Sequence, residues 1–307
     1  MDKRPFSPLI LMQSAQPLQF LIVLFTYGLG LGIADYLGRA INWYSALLGA
    51  ILISALIVAR NLLKVYFHYP LRLPVDKLNR RDGDGDLLYV ETKDIPRIIY
   101  LQTSLITLVV GATAIVLLIA GGALSMPGLF IVVLSVCLAV MDFLPPIELC
   151  RKGYTELIEA FLLGSMSPAL AFLLQRPEVH LLLIMLTLPL VFVYLAYKIA
   201  GTFEYFDYDA RQAECSLLAR IGWQRCVLIH NLSVLFAFLF IAVFLLFSFP
   251  WSLAWPIFLA LPLGVLQIIQ MVRLADGRKP NWRLLWVNAL GTFLVFTYLI
   301  TFTLWVK

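Results

Sequence analysis

The stretch "NLLKVYFHY" (residues 61–69) lies where a long apolar run gives way to the longest polar segment of the chain. Helical spacing places Asn61, Val65 and His68 on one face of the helix that the apolar run predicts. Lys64 precedes this face by one position and adds a positive charge beside it. The stretch therefore predicts an apolar helix that ends in a polar, basic face.

The composition surrounding this stretch is that of an integral membrane protein. The chain has 307 residues, of which 62% are apolar and 13% are charged, and its mean hydropathy is +0.91. Soluble domains are about 45–50% apolar and about 25% charged. Segments of about 20 apolar residues are long enough to cross a bilayer as helices. We predict an all-α fold of nine such helices, at 17–38, 42–64, 98–122, 126–144, 155–175, 179–200, 226–249, 251–273 and 284–306.

The basic residues predict the orientation of these helices. With the N-terminus in the cytoplasm, 19 of the 23 Lys and Arg residues fall in inner segments and Arg60 lies one turn within the membrane on that side. Arg39, Arg176 and Lys307 alone fall outside. Cytoplasmic loops carry such an excess. We expect a multi-pass protein of the cell (cytoplasmic) membrane with its C-terminus outside. The net charge of +5 then reflects topology and an anionic inner leaflet, and nucleic acid is excluded as a partner.

Two of the predicted inner loops are long, at 65–97 and 201–225, whereas the outer loops have a few residues each. We treat residues 1–307 as one transmembrane domain and these two loops as its cytoplasmic caps. A polar site for a charged substrate is most easily built between them.

Two further stretches begin in predicted inner segments, "LPPIELCRKGYTELIEAFLLG" (144–164) and "FEYFDYDARQAECSLLARIGWQR" (203–225). Together with "NLLKVYFHY", they resemble three motifs of the UbiA superfamily of intramembrane prenyltransferases, in the same order along the chain. The resemblance implies nine helices around a central pocket that opens to the cytoplasmic side. It also implies a prenyl diphosphate substrate, an aromatic or related acceptor, and Mg²⁺ held by aspartates.

The sequence departs from the family pattern where the metal binds. The aspartates of the first family motif fall at Val65 and His68, and the first aspartate of the last motif falls at Tyr205. Asp209 stands at a motif position, with Asp207 beside it. Mg²⁺ is bound through carboxylates, phosphate oxygens and water. A two-sided Mg²⁺ arrangement is therefore not expected.

Three functions remain open. In the first, the protein is a divergent prenyltransferase in which Lys64, His68 and Arg60 bind the diphosphate as cations that replace part of the metal. One remaining Mg²⁺ is then expected at Glu204, Asp207 and Asp209. In the second, which we favour slightly, the site is a non-catalytic pocket for an isoprenoid lipid or quinone, as in a pseudoenzyme subunit of a larger assembly. Transport ranks last, because the charges crowd one membrane edge and transporters carry them near mid-membrane.

The candidate residues follow from the motif positions. The candidate substrate contacts are Arg60, Asn61, Lys64, His68, Asp142, Lys152, Glu204 and Tyr205, and the candidate metal ligands are Asp207 and Asp209. Two further acids, Glu156 and Glu159, lie within a turn or two of the inner interface. Arg151 and Lys152 are close enough in sequence to be their expected ion-pair partners.

Overall fold

The computed structural model describes residues 8–68, 72–74, 89–91, 95–206, 216–247 and 249–306. Within these ranges nine helices are long and apolar enough to cross a membrane, as the sequence predicted. They are α2 Pro17–Tyr36, α3 Trp43–Phe67, α4 Arg97–Ala120, α5 Met126–Phe143, α6 Thr155–Leu173, α7 Leu181–Thr202, α9 Trp223–Leu245, α10 Trp251–Ala275 and α11 Trp282–Val306. The short helices are α1 Pro8–Ser14 and α8 Leu217–Ile221.

Local sequence sets several helix starts. The side chain of Asn42 accepts hydrogen bonds from the backbone N–H groups of Tyr44 and Ser45 and so caps α3. Ser125 caps α5 in the same way through the N–H of Gly128. Asn and Ser are favoured at such positions because they satisfy N–H groups that have no partner within the helix.

Both predicted cap loops begin later than the sequence suggested. Helix α3 continues through Val65 to Phe67, so the opening motif is helical up to that residue. Helix α7 continues to Thr202 and is followed by a 3₁₀ turn at Phe203–Tyr205. The first loop also contains a short antiparallel pair, β1 Arg72–Pro74 with β2 Tyr89–Glu91, which the sequence analysis did not anticipate.

The helices differ in how much of their surface they bury. Helices α6 and α7 are the most enclosed spans, whereas α4 and α5 turn most of their side chains outward. Helix α7 packs against α6, α9 and α11, and α3 packs against α4 and α5. We call the end of the bundle where α3 ends and α6 begins the site end, because the buried charges lie there.

Helix α6 contains a π-helical turn at Leu162–Met166. Gly164 lies in this turn, and a Cβ atom there would stand 2.9 Å from the Cα atom of Val191 in α7. Single π-turns inside α-helices often accompany functional sites. Here the turn lies next to the α6 segment that carries Glu156 and Glu159, and a glycine within it permits close packing on α7.

The contact between α2 and α6 predicts a stability difference between two glycines of one helix. A Cβ atom on Gly30 would meet the carbonyl oxygen of Pro168 at 2.1 Å, whereas a Cβ atom on Gly28 would meet nothing within 4 Å. We expect Gly30→Ala to destabilise the protein by about 1–3 kcal/mol, since backbone atoms must move. Gly28→Ala is the matched control and should be neutral or slightly stabilising. Thermal unfolding in detergent measures both; equal melting temperatures would contradict the packing described.

Candidate functional site

A buried cluster of charges joins four helices at the site end. Arg60 of α3 is 2% exposed, and its Nη2 atom lies 2.5 Å from Oδ2 of Asp142 in α5. Its Nη1 atom lies 3.1 Å from Oε1 of Glu159 in α6. A buried ion is stable only when it is paired and hydrogen-bonded. The guanidinium of Arg60 therefore fixes both carboxylates in place.

Glu159 has a second cation. Its Oε2 atom accepts from Nζ of Lys198 in α7 at 2.6 Å and from the hydroxyl of Tyr194 at 3.4 Å. Asp142 also accepts from the hydroxyl of Thr155 at 3.1 Å. We call Arg60, Asp142, Glu159 and Lys198 the charge network. Two cations face two carboxylates in it, so its formal charge is zero.

Asn61 extends this polar region toward the N-terminal helices. Its side-chain amide donates to Oε1 of Gln19 at 2.8 Å and to the carbonyl oxygen of Ala15 at 3.3 Å. The amide of Gln19 in turn donates to Oε1 of Gln16 at 2.6 Å. These bonds anchor the start of α2 to the end of α3.

A cavity of about 180 Å³ lies at the site end, next to the charge network, and two members of the network line it. Three cations and two carboxylates are among its lining side chains, and the described part of its wall includes no Phe, Tyr, Trp or aliphatic residue. The lining residues are Gln16, Lys64, His68, Cys150, Arg151, Thr155, Glu156, Glu159, Lys198, Thr202 and Ser216. Polar and charged side chains therefore dominate the lining, and its formal charges leave an excess of one positive charge.

One wall of the cavity is formed by a histidine–cysteine pair. Nδ1 of His68 lies 2.9 Å from the carbonyl oxygen of Lys64, and a carbonyl can only accept, so Nδ1 carries the proton. Nε2, which is the acceptor nitrogen in this tautomer of the neutral ring, faces Sγ of Cys150 at 3.4 Å. Burial raises the pKa of the Cys150 thiol to about 11. At neutral pH the thiol is protonated and donates to His68.

The predicted substrate contacts divide into those that line the cavity and those that lie elsewhere. Lys64 and His68 line it. Arg60, Asn61 and Asp142 lie behind its wall, where other protein groups bind them. The structure therefore shows these three residues bound to protein groups that support the cavity wall. Contact between them and a substrate stays a prediction.

The other candidates lie at the edge of the site or beyond the described residues. Lys152 is exposed, and its carbonyl oxygen accepts from Nη1 of Arg220 at 2.7 Å. Glu204 is half-buried next to α7 and is not among the lining residues. The structure describes the backbone of Tyr205 but not its side chain, and Asp207 and Asp209 lie outside the described residues.

Sequence reasoning misjudged the partners of the α6 acids. Glu159 pairs with Arg60 and Lys198, and Arg151 pairs instead with Glu148 at 3.1 Å. Glu156 accepts from the backbone N–H of Leu217 at 3.2 Å. The spacing of the two acids by three residues was the available signal, since it puts both on one face of α6.

The described donor atoms do not fit a Mg²⁺ ion. No group of three or more His, Cys, Asp and Glu side chains that could hold a metal occurs within the described residues. Asp142 and Glu159 are already neutralised by Arg60 and Lys198. A metal site would have to draw on Asp207 and Asp209, which lie outside the described residues.

Comparison with known proteins gives a structural likeness. No family model and no curated protein matches the sequence. A UbiA homologue from Archaeoglobus fulgidus bound to GPP and Mg²⁺ matches with a TM-score of 0.59 at 12% identity, over 94% of this chain and 99% of that one. A digeranylgeranylglyceryl phosphate synthase matches with a TM-score of 0.61 at 14% identity, over 100% and 98%. A UbiA homologue from Aeropyrum pernix K1 gives 0.59 at 12%, over 92% and 97%. Such identities show a common fold.

The charge network predicts a large stability difference between two arginines. Arg60→Leu leaves Asp142 and Glu159 buried with one cation between them and should cost about 3–5 kcal/mol. Arg151→Leu removes a surface pair with Glu148 and should cost no more than about 1 kcal/mol. Chemical unfolding of the detergent-solubilised variants compares them, and similar losses for the two would refute the assigned roles.

The environment of Cys150 predicts the pH dependence of its alkylation. The thiolate is the reacting form, and the Cys150 pKa is about 11. The alkylation rate in the folded protein should therefore rise about tenfold for each pH unit between pH 8 and 10. Mass spectrometry of the peptide containing Cys150 measures the rate, with Cys150→Ser as the blank. A rate that levels off near pH 9, as for an ordinary thiol, would show that the thiol is not desolvated.

Proposed function

We propose that this multi-pass membrane protein, which has the UbiA-superfamily fold, binds a prenyl diphosphate or a related isoprenoid lipid. The observation that carries the proposal is a basic cavity at one end of an apolar helical bundle. An isoprenoid diphosphate matches this arrangement, because its multiply charged head suits the basic cavity and its hydrocarbon tail suits the apolar helices. The similar Archaeoglobus fulgidus structures that hold GPP and DMAPP support the same ligand class.

The lining cations suit a diphosphate head. Lys64, Arg151 and Lys198 come from α3, the α5–α6 turn and α7, so they surround the cavity from three sides. Ammonium and guanidinium groups form strong charge-assisted hydrogen bonds with phosphate oxygens. His68 adds a ring beside Lys64, and its Nε2 now faces the Cys150 thiol.

Binding should depend little on Mg²⁺. The two carboxylates beneath the cavity are each bound to a protein cation, and displacing those cations would leave buried charges unpaired. Asp207, Asp209 and Glu204 remain the proposed ligands of one supporting Mg²⁺. In either case most of the charge on the diphosphate would be met by protein cations.

The neutralised carboxylates also favour the non-catalytic alternative, a UbiA-type subunit that holds an isoprenoid or quinone. Ionising an allylic diphosphate requires stabilisation of the leaving charge, which a metal ion normally supplies. The same pairing of the carboxylates with protein cations disfavours transfer to an aromatic acceptor. The excess of basic residues at the site end supports a cytoplasmic position for that end, in a protein of the cell membrane.

The proposal predicts metal-independent binding of geranyl diphosphate. Purified protein in detergent should bind the labelled compound with a similar Kd in Mg²⁺ and in EDTA. Lys64→Ala/His68→Ala should weaken binding at least tenfold, because a cation and its neighbouring ring are removed from the cavity. Geranyl diphosphate should also slow the alkylation of Cys150, which lines the same cavity.

Lys279→Ala provides the matched control, since Lys279 is exposed on the loop between α10 and α11 and does not line the cavity. It should leave the Kd unchanged. Absence of binding in both Mg²⁺ and EDTA would reject the proposed function. Binding that requires Mg²⁺ would restore the metal-dependent arrangement and make Asp207 and Asp209 the first residues to substitute.

A further inference from the structure

We propose that the cavity has a second subsite, in which Glu156 accepts a hydrogen bond from a hydroxyl group of the ligand or of a co-ligand. The inference rests on the proposed function for the anionic part of the ligand and extends it to the polar group beside the phosphate. The chemical class it points to is a phosphorylated alcohol, free or as a lipid head group.

Glu156 is a buried carboxylate that the protein satisfies on one oxygen. Its side chain is 4% exposed, and its Oε1 atom accepts from the N–H of Leu217 at 3.2 Å. Its Oε2 atom has no hydrogen-bond partner within the described residues. A buried carboxylate oxygen without a donor is costly, so such atoms in native proteins usually have a partner or a role. Glu156 lines the cavity, where a ligand can supply the missing donor.

The neighbours of Glu156 favour a hydroxyl over an ammonium as that donor. Lys64, Arg151 and Lys198 line the same cavity, and an ammonium group entering it would be repelled by them. A hydroxyl carries no charge and can donate to Glu156 while it accepts from another group. Thr202, Ser216 and Gln16 line the cavity, and their side chains can donate a hydrogen bond to the oxygen of that hydroxyl.

The lining cations and Glu156 together favour a ligand that carries both an anionic group and a hydroxyl group. The cations would bind a phosphate, and Glu156, which lines the same cavity, would accept from a hydroxyl. A glycerol phosphate group has both, whereas inorganic phosphate has no alcohol and ethanolamine phosphate has an ammonium in its place. Short-chain phosphatidylglycerol and phosphatidic acid form the corresponding lipid pair, with and without the free alcohol.

The test is direct binding of these probes to the purified full chain in detergent. Glycerol phosphate should bind about tenfold more tightly than inorganic phosphate, which is the range of a single hydrogen bond. Glu156→Gln keeps an acceptor for Leu217 but replaces Oε2 with an NH₂ donor, so it should abolish this preference. Glu178→Gln, exposed at the opposite end of the bundle, is the matched control and should retain it.

The lipid pair distinguishes the source of the phosphorylated alcohol. A preference for dihexanoyl phosphatidylglycerol over dihexanoyl phosphatidic acid that exceeds the preference between the soluble compounds supports a lipid head group. A preference confined to the soluble pair supports a free phosphorylated alcohol. Glu156→Asp retains the carboxylate and should keep part of the preference if Glu156→Gln fails to fold.

Three results overturn the subsite: no preference for either alcohol in the wild type, a preference that survives Glu156→Gln, or tighter binding of ethanolamine phosphate than of glycerol phosphate. None of them depends on the prenyl chain. Failure of geranyl diphosphate to bind, with the alcohol preference intact, rejects the proposed function and leaves the subsite standing. Binding of geranyl diphosphate without the preference does the reverse.

Discussion

The site depends on the pairing of Arg60 with Asp142 and Glu159. Four helices contribute charges to one buried network, which Lys198 completes from α7. Removing any of these ions would leave another one uncompensated in a region of low polarity. The network therefore holds α3, α5, α6 and α7 in one relative arrangement, and the cavity wall is built on the ends of those helices.

The bilayer makes this constraint stronger than it would be in a soluble protein. Lipid offers no polar partner, so a charge on a membrane helix must face the bundle interior or an aqueous region. Arg60 and Glu159 face inward and satisfy each other, whereas Lys64 and Arg151 face the cavity and stay near the interface. One set of charges fixes the helices relative to each other, and the other set lines the cavity.

The sequence predicted the spans well because hydrophobic length is a local property. The apolar run also predicted that α3 ends in a basic face, and Lys64 and His68 line the cavity at that end of the helix. Their contact with a substrate stays a prediction. The partners of Glu159 were mispredicted because Lys198 and Arg60 lie far away in sequence, and their approach depends on how α3, α6 and α7 rotate against each other. Cys150 was overlooked for a related reason: its contact with His68 depends on the turn after α5, which carries no periodic pattern.

The same pairing also sets the charge of the cavity before any ligand binds. An acidic pair that binds Mg²⁺ leaves a cavity lined with carboxylates, and the metal completes the charge balance. In this chain the balance is internal, because Arg60 and Lys198 neutralise Asp142 and Glu159 before any ligand arrives. Lys64 and Arg151 then add positive charge at the cavity surface. A diphosphate entering such a cavity meets protein cations first, so its affinity would be set by residues of α3, α7 and the α5–α6 turn.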